Sequence, residues 1–237
     1  MCGLPTQFGA PKYSKVLDGI CEERGIDRHF NWDLESIDKD KKTAVFRKME
    51  GGKATDETRE ESYDMMHVAP RMGSKDFIAK SPLAGAGGWV DVHQGTCQST
   101  KYANVFSLGD CSSIPTSKTA AAAAAQAGVV KHNIRAMMAG FGANEEYNGY
   151  TSCPLVLGRN SLLLAEFNGF TKEPMETFPV DQGKPSAAFL YLKRDIMPML
   201  YWEGMLKDRW DGPSPWAAAL NFFDQKKISQ LSSGQDV

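Results

Sequence analysis

At 237 residues the chain has room for one large domain or two modest ones, and 42% hydrophobic with 24% charged residues is the composition of a folded protein, not a disordered one. Twenty-seven basic against 29 acidic residues leave a formal charge of −2 with no sustained basic run, which argues against nucleic acid as a partner. A membrane-spanning helix needs about 20 apolar residues, and no uncharged stretch here is that long. The first residues lack the charged and apolar regions of a secretion signal. Cys2, Cys21, Cys97, Cys111 and Cys153 are scattered, with no Cys-x-x-Cys pair and no nearby histidine pairing. That spacing predicts neither a zinc site nor a disulfide-stapled secreted fold, and no metal is expected.

In chain order, Val16, Leu17, Ile20 and Cys21 recur at helical spacing and predict a helix over 11–24 that stops at Gly25. Residues 30–34 and 43–49 read as strands around a charged turn at 38–42, residues 50–59 as a polar hairpin end, and 63–68 as a further strand. Prolines and glycines between Pro70 and Gly88 mark a loop, followed by a short strand at 89–92.

Val105 to Leu108 reads as a buried strand ending at Gly109-Asp110, and the alanine-rich, uncharged run from Thr119 as a helix reaching about Met138, closed by Gly140 and Gly142. Such a corner suits a flavin: the Asp110 carboxylate is able to accept hydrogen bonds from ribityl hydroxyls, and the helix N-terminus offers free N–H groups and partial positive charge. The same pattern also describes an ordinary strand–loop–helix corner, and the residues alone leave both readings open. Gly140 and Gly142 follow a helix, not a strand, so they are no dinucleotide fingerprint.

Strands are expected at 150–156 and 162–167. Cys153 precedes a proline in an apolar setting, where a lone cysteine is commonly a small buried hydrophobe. After Pro198, Met199, Trp202, Leu206 and Trp210 recur at helical spacing, and a second aromatic segment spans 216–223. Amphipathic helices of this kind lie in a bilayer interface or pack on a protein core.

Several stretches together resemble the sulfide:quinone oxidoreductases of the eukaryotic mitochondrial type. They are Tyr63–Pro70 (YDMMHVAP), Gly88–Val92 (GWVDV), Asn104–Cys111 (NVFSLGDC), Pro115–Ala122 (PTSKTAAA), Gly149–Val156 (GYTSCPLV), Leu164–Phe167 (LAEF), Glu176–Gln182 (ETFPVDQ) and Leu200–Trp202 (LYW). The likeness runs from about residue 8 to about residue 213.

The resemblance implies an α/β fold, part of the two-dinucleotide-binding-domain (Rossmann-like) architecture of the flavoprotein disulfide reductases, with its N-terminal half missing and amphipathic, membrane-facing helices at the C-terminus. Residues 1–70 would be the remainder of a second nucleotide-binding-like domain, 71–148 the end of the FAD domain, and 149–237 the redox-cysteine and quinone-facing region. By the same likeness Pro70, Gly109, Asp110, Lys118 and Thr119 would contact FAD, and Cys153 would be the second redox cysteine. Phe178, Tyr201 and Trp202 would surround the quinone. The implied chemistry oxidises hydrogen sulfide to sulfane sulfur through a cysteine disulfide and persulfide. Its electrons pass through FAD to ubiquinone, the sulfur goes to a small thiol or other acceptor, and the setting is a monotopic association with the mitochondrial inner membrane.

The family's glycine-rich fingerprint and first redox cysteine have no counterpart here, and none of Cys2, Cys21, Cys97 or Cys111 matches that cysteine's motif. The expectation is therefore the C-terminal portion of a longer enzyme, a poor FAD binder by itself and unable to turn over sulfide. A non-catalytic, membrane-associated interaction protein derived from the family is the alternative. An NADH-dependent flavoprotein quinone reductase is a third reading, which the Cys153-Pro154 motif opposes.

Overall fold

The chain divides into two units between residues 72 and 73, and the computed structural model describes residues 2–69 and 72–210. In the first unit, Pro11 opens helix α1 (Pro11–Glu23) at a position whose N–H would have no partner anyway. Tyr13, Leu17 and Cys21, four residues apart, are its buried stripe, with Val16 and Ile20 at the margin. Gly25, at φ 62°, ends it: its N–H reaches the Glu22 carbonyl and that of Ile26 reaches Cys21.

Strands β1 (Trp32–Asp38), β2 (Thr43–Glu50) and β3 (Lys53–Ser62) form an antiparallel meander with β2 central. β1 starts two residues later than its sequence predicts, because Asn31 at φ 61° breaks the extended run and leaves Phe30 to bridge Cys2. The expected polar hairpin end over 50–59 is corrected to a tight turn followed at once by β3. Gly51 and Gly52 both have positive φ, the geometry of a two-residue hairpin turn whose twist matches that of its strands. β3 has almost no apolar residue, yet its ladder to β2 satisfies the backbone, and Lys48 reaches Glu57 across it at 2.7 Å. Residues 63–68, expected as a strand, have no ladder partner among the described residues and form none.

The second unit begins with a loop and the single turn α2 (Asp76–Ala79). The strands expected at 89–92 and 105–108 are corrected to extended segments joined by single bridges. Val90 faces Ala84 on one side and Ser112 on the other, Val92 faces Ser99, and Phe106 faces Gln98. The partner changes with nearly every residue, so no ladder propagates. Val90, Val92, Cys97 and Ile114 from this mesh meet Val129, Tyr147 and Tyr150 in one core.

Helix α3 (Ala120–Met138) supplies Val129 to that core and is closed by Gly140 at φ 87°, whose N–H goes to Met137 while that of Phe141 goes to Ala136. Strands β4 (Tyr150–Gly158) and β5 (Ser161–Asn168) then form an antiparallel hairpin. Leu162 and Leu164 of β5 pack on Phe189 of α4 (Ala187–Tyr191).

From α4 the chain stays helical to Lys207, through π-helical turns at Leu192–Ile196 and Leu200–Gly204 on either side of Pro198. A proline inside an α-helix removes one N–H and crowds the carbonyl four residues back, and widened turns absorb both effects. Sequence periodicity places the start of this helix after Pro198; it begins at Ala187, capped by the side chain of Ser186. Tyr191, Met199, Tyr201, Trp202 and Leu206 are exposed along it. Among the described residues no helix is long and apolar enough to cross a membrane. The aromatic segment 216–223 lies outside the described residues.

The architecture is thus mixed α/β with small antiparallel sheets, and among the described residues parallel pairing is limited to single bridges.

Candidate functional site

The corner that leads into α3 is built on Gly109. Its φ of 63° lies in the left-handed region, and a Cβ there would touch that of Ala123 at 3.4 Å, so glycine lets the backbone turn close against the helix. Its N–H donates to Oε1 of Gln126 at 2.7 Å. Gln126 is 2% exposed and is the one long polar side chain within the uncharged part of the helix. The Gly109 carbonyl accepts from Ser112 Oγ at 2.9 Å.

Lys118 closes the loop from the other side. Its Nζ donates to the Ser112 carbonyl at 2.7 Å, lies 3.4 Å from the Gly109 carbonyl, and sits 4.5 Å over the Trp89 ring. Burial pushes its pKa down, and Asp110 and Cys111 oppose that shift. Thr119 is the N-cap of α3, its Oγ1 accepting from the N–H of Ala122 at 3.2 Å. The N–H groups of the first turn that precede Ala122 have no carbonyl within the helix to bond to. Asp110 is exposed beside them. Four of the five residues expected at a flavin, namely Gly109, Asp110, Lys118 and Thr119, therefore share one loop; Pro70 lies outside the described residues.

These residues fit a flavin on chemical grounds. A carboxylate open to solvent, a lysine and the N–H groups of a helix N-terminus belong to the one loop that leads into α3. Such donors complement the carbonyl-rich pyrimidine edge of a flavin, and they favour the added negative charge of its reduced form.

Cys153 reaches the same region through the β4–β5 hairpin. Pro154 follows it without harm because β4 has only one ladder partner among the described residues. The register pairs Ser152 with Glu166 and Pro154 with Leu164, and these share the face that leads to Phe189. Thr151 and Cys153, opposite Phe167 and Ala165, occupy the other face. A Cβ added at Gly169, just after β5, would lie 2.5 Å from Cγ2 of Thr116 and 3.0 Å from Oγ1 of Thr151. Thr116, in the loop that ends in Lys118 and Thr119, thus meets Thr151 across a bare glycine. Cys153 lies on the same face as Thr151, about 7 Å further along the strand.

All five cysteines are free thiols. Burial raises the pKa of Cys153 above its ordinary 9.0, and the ammonium of Lys193 pulls it down. Lys193, from the first π-helical turn, donates to the Pro154 carbonyl at 2.8 Å. Burial alone pushes the Cys97 thiol up to about 11, where it is an unreactive core group. Cys111 points its thiol at the Leu108 carbonyl, 3.2 Å away, and at Ser107.

The three residues expected near quinone divide between two places. Phe178 packs its ring against Phe189, 5.7 Å between centroids, and Tyr201 and Trp202 form an edge-to-face pair at 5.1 Å in the second π-helical turn. Sequence reasoning missed Trp89, Gln126 and Lys193. Gln126 had a visible signal, a lone amide in an alanine run. Trp89 and Lys193 had none, because only folding brings them to Lys118 and Cys153.

No family model matches the chain. It is 44% identical over 211 residues to the mitochondrial sulfide:quinone oxidoreductase of Mus musculus, covering 89% of this chain and 46% of that protein. The mitochondrial sulfide:quinone oxidoreductases of Dictyostelium discoideum and Schizosaccharomyces pombe are 46% and 40% identical, over 87% and 89% of this chain and 44% and 46% of their own lengths. The chain spans less than half the length of these curated relatives. A solved structure of the Tetrahymena thermophila mitochondrial ATP synthase F1Fo tetramer contains a chain of similar fold, with a TM-score of 0.68 at 22% identity over 89% of this chain and 50% of that one. At that identity the likeness concerns the fold alone.

Proposed function

The chain is a relative of the mitochondrial sulfide:quinone oxidoreductases, and from that premise we propose that it carries the second redox cysteine, the flavin ribityl and pyrimidine contacts, and the quinone-facing surface of such an enzyme. The observation that carries this reading is the convergence of Cys153 and the Lys118 loop on one side of the hairpin, through the Thr116–Gly169–Thr151 contact. The relatives supply the chemistry that such a convergence serves.

In this reading residues 1–70 are the remainder of a second nucleotide-binding-like domain and 71–148 the end of the FAD domain. Cys153 forms a disulfide with a cysteine from outside this chain. Hydrosulfide attacks that bond: one sulfur becomes a persulfide, and the other leaves as a thiolate with the electron pair. Only the thiolate is a competent donor, and Lys193, by opposing the effect of burial on Cys153, raises its share. Bound FAD would supply the two-electron relay from thiolate to quinone. Asp110 would accept from the ribityl hydroxyls, and Lys118 with the first turn of α3 would hold the pyrimidine edge. The outer sulfur passes to a small thiol or another acceptor. The exposed apolar side chains Tyr191, Met199, Tyr201, Trp202 and Leu206, with Phe178, would rest at the surface of the mitochondrial inner membrane and admit ubiquinone.

The test is sulfide-dependent quinone reduction by the native-length protein and by its Cys153→Ser variant. The expected result is turnover in the first, and loss of turnover with FAD retained in the second. A native-length protein that holds FAD and leaves quinone oxidised in the presence of sulfide would refute the proposal. The isolated 237-residue chain is expected to show no turnover.

A further inference from the structure

β5 contains one charge. Glu166 lies between Ala165 and Phe167 in a strand that is otherwise apolar at its centre, and it is 3% exposed. A carboxylate in such a place is expensive unless hydrogen bonds replace its water. Four do: the Tyr150 hydroxyl, the Thr177 N–H at 2.9 Å, the Thr177 hydroxyl at 2.9 Å, and the Gln182 amide at 2.7 Å all donate to it. Gln182 is itself fully buried; it also donates to the Leu164 carbonyl at 3.0 Å, and its Oε1 accepts from the Phe178 N–H at 2.9 Å.

The consecutive N–H groups of Thr177 and Phe178 are thus held by one buried carboxylate and one buried amide. An ionised carboxylate only accepts, so it draws all its donors toward a single point and fixes the backbone that carries them. A leucine, as at positions 162–164 of β5, would fill the volume without holding the loop. What the carboxylate adds is the conformation of the turn from Thr177 to Gln182, and that turn presents Phe178, which is 39% exposed and packed on Phe189.

We propose that Glu166 is a positioning residue that, through Thr177 and Gln182, holds Phe178 as a fixed wall for the quinone ring. This rests on the reading above, in which the chain reduces quinone. Glu166 touches neither quinone nor flavin; it acts through the turn. Replacement by glutamine keeps the volume but turns one acceptor atom into a donor, which then faces a donor from Thr177, Gln182 or Tyr150.

The experiment compares the native-length enzyme with its Glu166→Gln and Thr177→Val variants. It measures short-chain quinone binding by titration, the KM for quinone and for sulfide, and the rate of flavin reduction by sulfide alone. Thr177→Val deletes only the hydroxyl bond, and so remains informative where Glu166→Gln fails to fold. The expected result is quinone binding weaker by about tenfold in Glu166→Gln and less in Thr177→Val, with quinone KM rising in parallel, the size expected when a buried donor loses its acceptor. The sulfide KM and flavin reduction stay unchanged. Unchanged quinone binding in folded variants, or equal loss in both half-reactions, overturns the proposal. If the unmodified enzyme fails to reduce quinone with sulfide, the functional reading itself has failed, which is a separate result.

Discussion

Substituting Gly169 by alanine tests the contact that brings the hairpin to the helix-entry loop. Its φ lies outside the left-handed region that favours glycine, so strain in the mutant comes from space. The new methyl would stand 2.5 Å from Cγ2 and 2.6 Å from Cβ of Thr116, and 3.0 Å from Oγ1 of Thr151. Ordinary carbon contacts lie at about 3.5–4.0 Å, so the loop and the hairpin must separate by about 1 Å. Overpacking of this kind costs about 1–3 kcal/mol. Urea unfolding followed by circular dichroism reads this as a lower midpoint with an unchanged slope. Thr116→Gly removes both atoms that clash most closely and by itself costs about 1 kcal/mol in backbone entropy. The double variant is therefore expected to be more stable than the sum of the two losses predicts, by about 1 kcal/mol or more, as groups in contact do not act additively. Strict additivity would refute the reasoning, because it would mean that Thr116 is not what the new methyl meets.

Two further outcomes are expected. In Lys193→Met the one influence that lowers the Cys153 pKa is gone while burial, which raises it, remains; the curve of alkylation rate against pH for the reduced protein should move to higher pH, with slower reaction at any pH below the thiol's pKa, and an unmoved curve would remove Lys193 from the site. In Gln126→Met the Gly109 N–H loses its acceptor at 2.7 Å, and a part-buried donor left unpaired costs about 1–3 kcal/mol; FAD should then be held more weakly by about fivefold or more in the native-length protein, whereas unchanged affinity would show that the Gly109 turn does not shape the flavin contact.

Local chemistry was legible without coordinates where it is decided within a few residues. The helical spacing of Val16, Leu17, Ile20 and Cys21 with Gly25 behind it set α1, and Thr119 with the alanines and Gly140 set α3 within a residue or so at each end. The runs 150–156 and 162–167 were legible as β4 and β5 because each is a short, largely apolar stretch bounded by turn residues. The motifs around Asp110, Lys118 and Cys153 named their family for the same reason, since each is contiguous. β3 escaped notice because a polar strand is stabilised by its neighbour's ladder, which no local pattern records. The segments at 89–92 and 105–108 read as strands but found only single-residue partners.

What only the tertiary structure decided is which distant groups meet. Trp89 lies under Lys118, Gln126 holds Gly109, Lys193 stands beside Cys153, and Glu166 gathers Tyr150, Thr177 and Gln182. The sequence by itself determined the elements and the chemical groups they carry, because propensity, capping and periodicity act over a few residues. The surroundings of Cys153 and the Lys118 loop depend on register, on a bare glycine at 169 and on burial, and these exist only once separate segments have packed together.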